Sequence, residues 1–82
     1  MSAYIVFPTL LQAQRGFYAV SRKGIPAQVV KAPRSLEEKG CAYALRLAEK
    51  WRGDAVACLS DDRIRHGRVF VRRGEKYREA EE

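Results

Sequence analysis

Ala3-Tyr4-Ile5-Val6-Phe7-Pro8-Thr9-Leu10-Leu11-Gln12 holds the boundary on which the fold turns. From Ala3 to Phe7 every position is apolar, with β-branched and aromatic residues prominent, which suits a central strand covered on both faces. Pro8 has no amide hydrogen and ends the pairing. Thr9 and Gln12 then fit a capping box, with the hydroxyl on a free amide and Gln12 reaching back. Leu10, Ala13, Phe17 and Val20 fall on one face of the helix that follows, with Tyr18 beside them. Gln12, Arg15 and Arg22 face water. Gly24 followed by apolar Ile25 reads as a Schellman-type stop, and Pro26 prevents continuation.

Working outward, Ala27–Lys31 makes a second short strand, β-branched at Val29 and Val30, and Pro33 stops its pairing. A charged loop, Arg34–Gly40, leads to a third strand, Ala42–Leu47. There Tyr43, Leu45 and Leu47 alternate with Ala44 and Arg46. A second helix is expected within residues 49–66, with Asp54 as its cap and Ala55, Val56, Cys58 and Leu59 as its apolar part. Gly53 counts against an unbroken helix, and Gly67 is the expected stop. Arg68–Arg73 is the fourth strand, with Val69 and Val71 on one face and Phe70 on the other. The order β-α-β-β-α-β predicts an α+β domain of the ferredoxin-like kind, a four-stranded antiparallel sheet with both helices on one face. A single domain over residues 1–78 and a frayed, charged tail over 79–82 complete the expectation.

Eighty-two residues allow one core and leave little room for a bulky internal cofactor, so none is expected. No apolar run approaches the roughly 18 residues of a membrane span, and no signal-type segment opens the chain, which predicts a cytoplasmic protein away from membranes. Cys41 and Cys58 are then expected as two reduced thiols. Together with His66, the one histidine, they fall short of the four ligands of a structural zinc site, so no metal is expected. The net charge of +6 is unevenly spread. Residues 1–36 carry Arg15, Arg22, Lys23, Lys31 and Arg34 and no acid, and residues 63–78 set seven cations against Glu75. Such clusters attract anions, whether nucleic acid or an acidic partner.

Pro33-Arg34-Ser35-Leu36, then Cys41-Ala42-Tyr43-Ala44-Leu45-Arg46, with Gly24-Ile25-Pro26 closing the helix before them, resembles the small selenium/sulfur (Se/S) carrier-like proteins. The resemblance covers about residues 3–47. Three departures stand out: Ala42 occupies the position of the family's glycine, Glu37-Glu38-Lys39-Gly40 replaces a lead-in of small residues, and residues 48–82 do not match well. The resemblance implies that Cys41 is a carrier thiol, holding a sulfur or selenium atom as persulfide or perselenide. It also implies a donor or acceptor protein as partner and an accessory role rather than a stand-alone enzyme. Arg34, Lys39 and Arg46 are the cations available to favour a thiolate and bind anions, against Glu37 and Glu38.

Other readings stay open at this level. Cys41 can equally be a small apolar residue packed at a strand edge. Cys58, among Ala55, Val56, Ala57 and Leu59, reads as core filler, or as a resolving thiol if disulfide geometry allows. His66 reads as a solvated loop histidine, and Arg52-Gly53-Asp54 as a chance tripeptide. Arg68, Phe70, Arg72 and Arg73 form an alternative nucleic-acid face, with arginines for phosphate and an aromatic for a base. A sheet face left apolar would instead support a homodimeric interaction domain with no chemistry.

Overall fold

β1 (Ser2–Phe7) lies at the centre of the sheet, paired antiparallel on one side with β3 (Tyr43–Ala48) and on the other with β4 (Val69–Arg73). The computed structural model describes residues 1–33, 36 and 42–80. β2 (Gln28–Lys31) pairs outside β3, and β5 (Lys76–Glu79) outside β4, giving the order β2-β3-β1-β4-β5 with every pair antiparallel. The centre of this sheet is where the sequence demanded cover on both faces. Ala3, Ile5 and Phe7 point to one side and Tyr4 and Val6 to the other, and all five are buried.

The four-stranded expectation is therefore one strand short. β5 follows β4 through the two-residue connection Gly74-Glu75, in which Gly74 takes φ +65. Two-residue hairpins need that positive φ, and glycine adopts it without steric cost. β5 is charged at three of its four positions, so it carries no apolar alternation, yet its backbone ladder forms and Ala80 N–H extends it to Val69 O at 2.8 Å. The charged tail expected over 79–82 thus shares Glu79 with a strand.

α1 (Leu10–Arg22) forms as the sequence indicates, with one exception at its start. Thr9 Oγ1 accepts the Gln12 amide at 3.2 Å, but Gln12 does not reach back, and its buried Oε1 has no hydrogen-bond partner among the described residues. At the other end Ile25 N–H donates to Val20 O and Gly24 N–H to Ser21 O, with Gly24 at φ +79, which is the Schellman arrangement. Gly16 lets the helix settle on the sheet: a Cβ there would lie 2.8 Å from Phe7 Cζ and 3.3 Å from Leu45 Cδ1.

α2 (Arg52–Asp61) is entered through a 3₁₀ turn, Glu49–Trp51, and no side chain caps it. Asp54, the expected cap, sits instead in the first turn, where its charge suits the helix dipole. Gly53 falls in that same turn and so interrupts nothing. Nor does Gly67 stop the helix. Ile64 N–H bonds Leu59 O and Arg63 N–H bonds Ser60 O, a second Schellman arrangement with Arg63 at φ +57 in the glycine-favouring position. The two helices cover one face, where Ala13, Ala19 and Val20 from α1 and Ala55, Cys58 and Leu59 from α2 join Ile5, Phe7, Leu45 and Val69 in one core. A second, smaller cluster lies on the other face: Tyr4, Val6, Ala44 and Phe70, joined by Ala32, Leu36 and Ala42.

Candidate functional site

The Phe7 end of the sheet gathers the segments that the sequence marked. Phe7 pairs with Tyr43 and Tyr43 with Lys31, so β1 ends beside the start of β3 and the close of β2. Ala32 N–H then donates to Ala42 O at 3.0 Å, one step past the strands. Leu36 N–H donates to Pro33 O at 2.9 Å, and the Leu36 side chain is buried against the helix-free face with Tyr4, Val6, Ala32 and Ala42. On the other flank Val6 N–H donates to Arg68 O and Gly67 N–H to Val6 O, holding the link between α2 and β4 against the same strand end. Between these flanks lies a cavity of about 470 Å³, lined by Val6, Pro8 and Leu36 on an apolar side and by Gln12, Arg65, His66, Gly67 and Arg68 on a polar one. That size suits a small molecule.

Arg34, Lys39 and Cys41 lie outside the described residues. Arg46 is exposed on the helix-free face, paired across to Tyr4 and to Gln28. It stands four residues from Ala42, roughly 13 Å along an extended chain, and lines a separate cavity with Met1, Ser2 and Pro26. The strand therefore carries Arg46 away from the Phe7 end rather than toward it.

The four residues of the alternative face do not share one surface. Phe70 is paired with Tyr4 on the helix-free side, and Arg68 and Arg72 lie on that side with it. Arg73, one residue on, points to the helix side and meets Glu49 at 3.2 Å. Phe70 is only 8% exposed, with the Arg68 guanidinium 5.7 Å from its ring centre. Arg68 also bonds Glu79 at 2.6 Å, which holds that carboxyl below its ordinary range. Arg72 lies 5.8 Å from the Tyr77 ring, and Tyr77 meets Tyr4 edge to face. Burial, with Tyr4 next, pushes the Tyr77 hydroxyl upward. The cations on this face lie over its aromatic rings, so Phe70 is not an open platform for a base.

Cys58 is placed as core. It is buried in α2 facing α1, and its Sγ–H donates to Ala19 O at 3.4 Å. Burial pushes the thiol up, with nearby Asp62 adding to the shift, so the nucleophilic thiolate is disfavoured. His66 is half-buried rather than a freely solvated loop residue: its Nδ1 lies 2.7 Å from Gly67 O as the donor, and its ring meets Phe7 edge to face. The sequence reading gave Gln12 only a capping role and Arg65 only a place in a basic cluster, and it named neither as a site residue, although both line the cavity. Only their position after folding draws them in.

The family model described as "Putative Se/S carrier protein-like" matches residues 2–70. The chain belongs to this family. The match runs past the motif-bearing half, through α2 and into β4, which corrects the expectation that the family likeness ends near residue 47, and it stops short of the appended strand β5. Leu36 and Ala42, on either side of the Cys41 segment in the chain, are buried at the Phe7 end, where Pro33 O accepts the Leu36 amide. Comparisons with curated proteins and with solved structures found no match. No helix among the described residues is long and apolar enough to cross a membrane.

Proposed function

We propose that this chain is a sulfur or selenium carrier and that Cys41 is the carrier thiol. The observation that supports it is the family match over residues 2–70, which spans Cys41. The chain has two cysteines, and Cys58 is a poor candidate because it is buried, bonded to a carbonyl and pushed toward its neutral form. In this reading the Cys41 thiolate attacks the outer sulfur of a donor persulfide. A new S–S bond forms, the donor's S–S bond breaks, and the donor sulfur leaves as a thiolate with the electron pair. No net oxidation occurs, and a perselenide forms by the same exchange. An acceptor thiolate then takes the outer atom from Cys41 in the reverse sense. Lys39, two residues before Cys41 in the chain, and Arg34 favour the thiolate.

The scaffold in this reading is a ferredoxin-like unit, β1-α1-β2 interleaved with β3-α2-β4 and widened by β5. Its donor and acceptor are proteins, and the chain acts as an accessory to them. Iodoacetamide labelling of the folded protein tests the assignment: Cys41 should alkylate rapidly while Cys58 resists until the chain unfolds. A Cys41 no faster than Cys58 would refute it.

A further inference from the structure

Beside the cavity at the Phe7 end is a second, of about 240 Å³, lined by Gln12, Arg15, Asp62, Arg63, Ile64 and Arg65. The two share Gln12 and Arg65, so they form one double cleft between the start of α1, the close of α2 and the 64–68 link. Its charge is unbalanced. Arg15, Arg63 and Arg65 make no ion pair among the described residues, whereas Arg68 bonds Glu79 and Arg73 meets Glu49. Among the described residues Asp62 is the one acid in the lining. Arginines lining one concave wall raise a positive field there, and their planar forks match the oxygens of a phosphoryl group.

Two further features shape this cleft. Arg63 is held at φ +57, where glycine would fit without the roughly 1–2 kcal/mol that a side chain costs. The chain has an arginine at that turn, among the residues lining the cavity. Gln12, half-buried, stands where the two cavities meet. The wider cavity adds an apolar wall of Val6, Pro8 and Leu36. We propose that the double cleft binds a small organic phosphate, its phosphoryl group on Arg63 and Arg65 and its apolar body against Val6, Pro8 and Leu36. Binding makes no use of Cys41 and stands apart from the carrier reading.

Titration of the full chain with phenyl phosphate, inorganic phosphate and phenol, followed by amide NMR, tests this. Phenyl phosphate should bind at least about tenfold tighter than either fragment, since each engages only one wall. Its shifts should centre on Gln12, Arg65 and Gly67. Arg63→Gln and Arg65→Gln should each weaken it about tenfold, and Arg22→Gln, at the far end of α1, should not. All three sites are exposed, so the variants should keep their fold, which thermal melting checks. Equal binding of phosphate and phenyl phosphate, insensitive to which arginine is changed, would reduce the cleft to diffuse surface charge. Phenol binding as well as phenyl phosphate, or no shift at millimolar ligand, would equally overturn the proposal.

Discussion

Gly67 donates its amide to Val6 O at 2.6 Å, and a Cβ on Gly67 would stand 3.1 Å from that same oxygen. Backbone meets backbone there, so neither side can yield by turning a side chain. This contact fixes the α2–β4 link to the central strand and shapes one wall of the cavity. Gly67→Ala should lower stability by about 1 kcal/mol or more. A denaturant midpoint reads that loss, and an unchanged midpoint would show that the link adjusts freely.

Arg63 offers the opposite sign. Arg63→Gly removes a side chain from a left-handed position that closes a Schellman turn, so it should raise stability by about 1 kcal/mol. The same variant should weaken phenyl phosphate binding. A gain in melting temperature paired with a loss of affinity is the expected signature.

Gly16 is a helix-interior glycine, and replacing it with alanine would by propensity alone add about 1 kcal/mol. Here the new methyl meets Phe7 Cζ at 2.8 Å, and Phe7 is fully buried in the core. Overpacking of that kind costs about 1–3 kcal/mol. Gly16→Ala should therefore come out net destabilising in equilibrium unfolding, despite the better helix former.

How far these features could be read beforehand follows from which of them are local. The doubly covered first strand, the Thr9 cap and the Gly24-Ile25 stop depend on neighbours within a few residues, and each formed as read. β5 was hidden because a charged edge strand has no apolar alternation; the Gly74-Glu75 pair was its one signal. The end of α2 was misplaced because Gly67 is the residue expected at such a stop, while Arg63 took the position and Gly67 served a close approach to Val6. Arg46 looked near the cysteine along the chain, but β3 runs extended from Tyr43 and carries Arg46 away from Ala42, where a helix would have brought them together. The cleft shared by Gln12 and Arg65 is a product of tertiary packing, and no motif announces it.

Cys58 gives a pH dependence with a fixed sign. Burial raises its folded pKa above the unfolded value near 9.0, so its contribution is fully present below pH 9.0. Stability should fall as pH rises from there through the folded value. Unfolding curves across that range should decline less steeply for Cys58→Ala, even though that variant starts lower for the loss of a buried sulfur. Parallel declines would show that the thiol is not held neutral by the core.

The carrier assignment is tested most directly by intact mass after exposure of the folded protein to a persulfide donor. Wild type and Cys58→Ser should each gain one sulfur atom, released on adding a reductant, and Cys41→Ser should gain none. Uptake that survives in Cys41→Ser, or is absent from the wild type, would contradict the account.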